Sequence, residues 1–525
     1  MKKICIHALI FVFLVPIIAR GISEEQKNIL AQAIDEAIDS VDPHIHIGIQ
    51  VISLKHGDVL YQKNPHIKFI PASNTKLFTS AAALALLGPS YRFETQLFIT
   101  GKVKNGILYG DVYLKGAGDP TLTSDDLKVM AKQLSLYGIT LIKGAVYCDI
   151  TEFDKMVRGP GWSWDMGPTF SNAPLDSLMI NHSCIDCYVL PTQPGKKPQV
   201  RLKPHMGDFV INNTALTVGN LADPLVVSRQ WLRQKNSIDI VGSISHTASP
   251  AIHKMAVEMP YEYTCAVFKQ LLNSYGIVTP HHQVMCKVVP SDASVIYTHY
   301  SPTISSMIRP ILKKSDNLYA DALFKKMGVC KKGSPGTWHK GKLVLTDFLS
   351  NKVGLDPKTF WFVDGSGMSR YNLVSPSHLV KLLQWIYEHP SNNKKQGSLY
   401  KIICEGLPVA GVDGALKHRM KDKTVRTRVR AKTGFLGGVV SLSGYIVTVD
   451  GDVLAFAIMI NGFIGSPDVY KKLEDRIATL LSTFKRNETL GSGNNADTKA
   501  SVELVEQEVY EDGVDEAEEE LVCEA

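Results

Sequence analysis

A chain of 525 residues with 45% hydrophobic content can bury several cores, and its length is that of about three domains. The formal charge of +6 hides an asymmetry, because Ser501 to Ala525 holds eleven acidic residues and no Lys or Arg, leaving a body of 57 basic against 40 acidic residues, or +17. No zinc finger, RNP signature or aromatic-interleaved basic stripe accompanies that charge, which argues against a nucleic-acid partner and leaves attraction to an anionic polymer or a peripheral membrane surface.

Lys2 and Lys3 precede an apolar run from Ile4 to Ile18 that ends in Ala19-Arg20-Gly21, the pattern of a signal peptide cleaved before Ile22. An uncleaved anchor is the alternative, although the run is short for a spanning helix. Ser23 to Ile38 has helical apolar spacing, with Ser23 as N-cap. His46 to Leu54 and Val59 to Gln62 read as a hairpin that delivers the chain to Pro71-Ala72-Ser73-Asn74-Thr75-Lys76 and the apolar run from Leu77 to Leu87. The layers implied are helix on antiparallel sheet, an α+β fold. From Phe93 to about His299 short strands and Gly-rich turns take over. Gln96 to Val103 is expected to pair with Ile107 to Lys115, a helix follows over Ser124 to Tyr137, and Asp223-Pro224 reads as the start of a helix over Leu225 to about Gln234. Beyond a strand from Ile238 to Ser245, helices are expected at Ile304 to Leu312, Leu318 to Met327 and from Pro376. Strands are expected at Trp361 to Val363, Arg426 to Gly434, Val439 to Val449 and Val453 to Asn461. Ser466-Pro467 caps a last helix running to about Phe484. The acidic end reads as a disordered tail.

Of nine cysteines, Cys184-x-x-Cys187 is the one close pair, readable as a local disulfide or as two buried thiols. His281-His282 lacks partner ligands, so neither a metal nor any other cofactor is expected.

Ser73 and Lys76 are three apart, so on one helical turn the hydroxyl lies within reach of the amine, as a serine nucleophile and its base require. Ser391, Ser398 and Ser482 also begin S-x-x-K, but only Ser73 is followed in order by a separate S-x-N, Ser315-Asp316-Asn317, and then by Lys432-Thr433-Gly434. Those three motifs in that order carry acyl transfer in penicillin-binding proteins and class A β-lactamases. The helix dipole and Lys432 would disfavour an ammonium at Lys76, whose neutral amine can take the Ser73 proton. Ser315 can relay that proton to the leaving amine, and Asn317 can bond both Lys76 and a substrate amide. Lys432 and Thr433 suit a terminal carboxylate, Gly434 lets a substrate backbone lie along the strand edge, and the N–H groups of Ser73 and Phe435 would form an oxyanion hole.

The chain resembles the class C low-molecular-mass penicillin-binding proteins, the family of D-alanyl-D-alanine carboxypeptidases and endopeptidases. The resemblance covers Ile47 to Gly462 and includes Gly116-Ala117-Gly118-Asp119-Pro120, Gly161-Trp162-Ser163-Trp164-Asp165, Asp364-Gly365-Ser366-Gly367-Met368-Ser369-Arg370 and Leu407-Pro408-Val409-Ala410-Gly411. It implies a β-lactamase/transpeptidase-like core from residues 22–92 and 300–488, β-rich inserted domains over 93–299, two of them nested, and a tail over 489–525. It also implies exported serine DD-peptidase activity in the periplasm on D-Ala-D-Ala ends or cross-links of peptidoglycan, through an acyl-enzyme at Ser73 that β-lactams would trap. By position, Asp165 and Arg370 would pair with the diaminopimelate side chain, with Trp162, Phe170, Met368 and Leu436 as walls. Two positions depart from the family: Phe435 stands where Thr or Ser is usual, and Phe170 where Tyr is common. A β-lactamase-like hydrolase and a non-catalytic wall-binding scaffold are the competing readings.

Overall fold

The computed structural model describes residues 24–486, apart from 205–208, 221–222, 234, 280–284 and 390–397. The expected signal segment with the Ser23 cap, the acidic end, His281-His282 and the Ser391 motif lie outside the described residues. Helix α1 (Glu24–Asp39) turns Leu30, Ile34, Ala37 and Ile38 inward, the i, i+4, i+7, i+8 stripe of an amphipathic helix. It packs on a sheet built from β1 (His46–Ser53) and β2 (Val59–Lys63) together with three strands from the far end of the chain. Between them in sequence come the helices α2 (Thr75–Leu86), α3 (Ile304–Lys313), α4 (Asn317–Lys332) and α5 (Pro376–Glu388). The late strands are β3 (Val429–Leu436), β4 (Val439–Val447) and β5 (Val453–Asn461), and α6 (Pro467–Thr483) closes the core. The sheet order is β3-β4-β5-β1-β2, antiparallel throughout.

Strand β5 is buried at every position because both faces of the sheet are covered. Its residues divide with the period of two that a strand imposes: Leu454, Phe456, Ile458 and Ile460 face the α1/α6 layer, while Ala455, Ala457 and Met459 face α5 and the helical half. Helix α2 is apolar almost all round and lies inside that half, buried from Thr75 to Leu84. A helix in that setting can hold a lysine away from water.

The chain leaves this body at Phe93 and returns at Ser301, and those residues bond each other: Ser301 N–H to Phe93 O at 3.0 Å, Phe93 N–H to Ser301 Oγ at 2.9 Å. The excursion between them has its own apolar clusters and β-rich sheets, including a five-stranded one backed by helices Ser124–Leu136 and Pro260–Ser274.

Two expectations are corrected here, those for 225–234 and for Trp361; the 96–115 pairing holds in a single register with an interruption, and of the two readings of Cys184 and Cys187 the buried thiols are found. The helix over 225–234 is absent: Val226–Arg229 pairs with Ser237–Val241, and only one 3₁₀ turn, Trp231–Arg233, follows. The Asp223 carbonyl accepts from Ser243 N–H, so the β-branched pair Val226-Val227 joins a ladder. The long hairpin over 96–115 divides between two sheets at Gly101 and Gly110, where a Cβ on Gly101 would sit 2.1 Å from Tyr109 O. Trp361 makes a single bridge to Leu373 and no strand. Cys184 and Cys187 are separate buried thiols on strand Cys184–Leu190; the disulfide joins Cys148 to Cys265, their Cα atoms 6.7 Å apart.

Candidate active site

Ser73 lies on a 3₁₀ turn, Ala72–Asn74, that runs directly into α2, so the three-residue step to Lys76 closes over one tight turn. The turn is held from the sheet. Asn461 at the end of β5 accepts from Ile70 N–H at 2.7 Å and donates back to Ile70 O at 3.3 Å. Ser441 on β4 donates to Pro71 O at 2.8 Å and accepts from Asn74 Nδ2 at 2.5 Å. Ala72 takes a left-handed φ of 46°, rare for an L residue, in the step before the nucleophile.

Lys76 Nζ has three neighbours: Ser73 Oγ at 2.9 Å, Asn317 Oδ1 at 2.6 Å and the Ser366 carbonyl at 2.7 Å. Two of these can only accept. A neutral amine that donates to both has its lone pair left for the third, which is the Ser73 hydroxyl. Burial pushes the Lys76 ammonium down to about 8, against the opposing pull of Asp321, Asp364 and Asp316. The expected causes, the helix dipole and Lys432, are not the leading ones.

Lys432, fully buried on β3, donates to Ser315 Oγ at 2.9 Å and Thr433 O at 3.0 Å, and burial with the nearby Lys76 charge holds it well below the usual lysine range. Ser315 takes a φ of 59°; Asp316 caps α4 by accepting from Tyr319 N–H at 3.0 Å. Asn317, the first residue of α4, donates from Nδ2 to Ser171 O at 2.8 Å. Thus Ser73, Lys76, Ser315, Asn317 and Lys432, distant in sequence, form one hydrogen-bonded cluster.

Sequence reasoning missed the groups that hold this cluster. Asp321, one turn beyond Asn317 on α4, accepts from Gly365 and Ser366 N–H at 2.8 and 3.0 Å, fixing the Ser366 carbonyl that Lys76 meets. Burial and the Asp364 charge raise the Asp321 carboxyl well above the usual range. Asp364 accepts four bonds, from Gly367 and Ser369 N–H, Asn372 Nδ2 and Trp162 Nε1. The i, i+4 spacing of Asn317 and Asp321 was the available signal. The structure gives Gly434 a further reason beside the one expected: a Cβ there would meet Ser441 Oγ at 2.2 Å and Pro71 O at 2.8 Å, so the strand passes close to the Ala72–Asn74 turn.

The residues expected around a diaminopimelate side chain are placed less uniformly. Arg370 is exposed and donates to Gly437 O at 2.6 Å, one residue past half-buried Leu436 in the chain. Met368 is buried, and Trp162 is half-buried, bonded to Asp364 at 3.0 Å and edge-on to Trp338. Asp165 is exposed and accepts from Ser163 Oγ; among the described residues no ion pair joins it to Arg370. Phe170 lies flat on His182, and Phe435 is exposed with Lys471 Nζ 5.3 Å from its ring centre.

The family model for the D-Ala-D-Ala carboxypeptidase 3 (S13) family matches residues 30–484. The chain belongs to the S13 family. It is accordingly a serine peptidase, a hydrolase of the D-Ala-D-Ala carboxypeptidase type. Among S13-like relatives, a D-alanyl-D-alanine carboxypeptidase of Actinomadura sp. (strain R39) is 32% identical over 86% of this chain and 84% of its own. The carboxypeptidase DacB of Haemophilus influenzae is 27% identical over 80% of this chain and 86% of its own. The crystal structure of penicillin-binding protein 4 (dacB) from Haemophilus influenzae superposes with a TM-score of 0.75 at 26% identity, covering 86% of this chain and 99% of that one. The expected fold class, α+β with a penicillin-binding core, is thereby borne out.

Proposed function

We propose that the enzyme cleaves D-Ala-D-Ala termini, and D-amino-acid cross-links, of peptidoglycan stem peptides through an acyl-enzyme at Ser73. The observation that carries this is the trio of contacts at Lys76 Nζ. Neutral Lys76 takes the Ser73 proton as Oγ attacks the penultimate D-Ala carbonyl carbon. The oxyanion forms against the N–H groups of Ser73 and Phe435. When the C–N bond breaks, the Lys76 ammonium returns that proton through Ser315 to the leaving amine and is neutral again, while Lys432 holds Ser315 in place. Water then hydrolyses the ester, with Lys76 again as base. Asn317 aligns the substrate amide, and Lys432 with Thr433 receives the terminal carboxylate.

In this reading Asp165 and Arg370 pair with the charged ends of the diaminopimelate side chain, and Trp162, Phe170, Met368 and Leu436 are the walls of its pocket. Arg370 bonded at Gly437, next to Leu436 in the chain, supports it, and Phe170 serves it through His182 more than by direct contact. A solved form of the Haemophilus influenzae protein is complexed with a β-lactam; the same trapping at Ser73 is part of this reading. So is export to the periplasm, for which the basic and apolar N-terminal run is the support, and division of the chain into a discontinuous core and an insertion. No described helix is long and apolar enough to cross a membrane.

Intact-protein mass spectrometry after incubation with labelled penicillin tests the central step. One adduct on the Ser73 peptide, absent from Ser73→Ala, is expected, together with D-Ala release from pentapeptide. Folded wild-type protein without an adduct would sink it.

A further inference from the structure

Three consecutive non-glycine residues, Asn181, His182 and Ser183, take left-handed φ values of 51°, 62° and 52°. Such a run is disfavoured for L residues and persists only where the surroundings over-determine it. Here they do. Asn181 donates to Leu122 O at 2.9 Å and accepts from Ser124 N–H at 3.0 Å, and Ser183 accepts from Val257 N–H at 2.8 Å. The product of the turn is the aim of one side chain. The His182 ring stacks on Phe170 at 3.7 Å, lies 5.9 Å from the Tyr319 ring, and places Nε2 at 2.9 and 3.0 Å from the two oxygens of Asp316. Both side chains are about nine-tenths buried. A carboxylate only accepts, so Nε2 carries the proton.

Asp316 stands between Ser315 and Asn317, and the neighbouring turn Phe170–Asn172 grips Asn317 through Ser171 O. We propose that His182 is a positioning residue of the catalytic centre: the excursion reaches back through it to clamp Asp316, and so sets where Ser315 and Asn317 stand against Lys432 and Lys76. That hold and the Asn317 contact together fix the Ser315 turn, itself at φ 59°, from this side. Phe170 backs the imidazole, so its ring serves the same clamp. The kinetic consequence of the clamp rests on the acyl-enzyme reading, whereas its structural consequence stands apart from it.

Penicillin acylation and hydrogen exchange of wild type, His182→Ala and His182→Gln test the clamp together. A glutamine amide can still donate to Asp316; alanine cannot. His182→Ala should slow the acylation step at saturating penicillin roughly ten- to a hundredfold, since small misplacements of reacting groups cost that much, with the pre-acylation dissociation constant changed by less than about threefold. Its amides from Asp316 to Tyr319 should exchange faster than in wild type, and His182→Gln should recover most of both. Unchanged exchange in His182→Ala overturns the proposal, as does a loss of rate that His182→Gln shares in proportion to a lowered melting temperature, which would mark a packing role. If wild type carries no Ser73 adduct, the acyl-enzyme reading falls, and the exchange rates of the two variants still support or overturn the clamp.

Discussion

In the proposed mechanism Lys76 decides how the site responds to pH. Its proton must be absent before Ser73 can surrender one, and burial brings its pKa to about 8. Below that value most of the enzyme holds an ammonium with all three hydrogens engaged, and near pH 7 roughly a tenth is competent. The acylation rate by a neutral-range β-lactam should therefore rise with pH, about tenfold per unit below pH 7, and level off above about 8. Stopped-flow acylation across pH 5.5 to 9.5 checks this; a flat profile would remove Lys76 as the base. Removing Asp321 as a carboxylate, by Asp321→Asn, should move the limb to lower pH, since Asp321 is the leading charge that favours the Lys76 ammonium. At this scale the sequence was legible for the reacting groups, because motif order singles out Ser73, Ser315 and Lys432. For Asp321 it offered only the i, i+4 spacing from Asn317, and it was silent about His182; both matter for what they hold, and a holding residue has no fixed chemistry to recognise.

Between elements, the nucleophile turn is squeezed from two sides. Gly367 has φ 88°, and a Cβ there would sit 1.8 Å from the Ala72 carbonyl oxygen; Gly434 would press on Pro71 O from β3. At Gly367 the obstruction is backbone, so a methyl there must move the Ala72-Ser73 backbone. Gly367→Ala should fold, at a cost of about 1–3 kcal/mol from the positive φ and the shift, and lose roughly a hundredfold in acylation rate. Thermal melting and acylation kinetics measured side by side test it; wild-type acylation would mean that the turn has room to spare. The core elements were readable because their periods are strong: the alternation of β5 and the stripe of α1 leave little choice. Val226 to Arg233 was misread because a Pro-led start signal is local, while the ladder to Ser237–Val241 that overrides it is not. The split of the 96–115 hairpin escaped for the same reason, since close approach of Gly101 and Gly110 is a property of the assembled sheets.

Across the whole molecule, the catalytic loop depends on an excursion whose own integrity is covalently tied. Cys148 on strand Val146–Asp149 and Cys265 on helix Pro260–Ser274 are both buried in the larger cluster of that excursion, and their bond closes 117 residues of chain. Spacing could not pair them, because partners this far apart are set by topology and the eye is drawn to Cys184 and Cys187. A closure of that length removes much of the freedom of the unfolded segment, so Cys148→Ala with Cys265→Ala should cost the excursion about 2–4 kcal/mol. The damage should not stop there. Lys325 on α4 bonds Asp154 at 2.6 Å and Met156 O at 3.1 Å, Lys326 pairs with Glu152 and bonds Ala117 O at 3.4 Å, Asn317 meets Ser171 and His182 meets Asp316, so α4 and its cap are coupled to the loosened part at several points. Calorimetry of the double variant should show a first transition at lower temperature than in wild type, and Ser73 acylation should fail across that first transition, before α1, α6 and the β3-β4-β5-β1-β2 sheet unfold. If acylation instead survives until the sheet melts, the excursion is a passenger on a self-sufficient catalytic core.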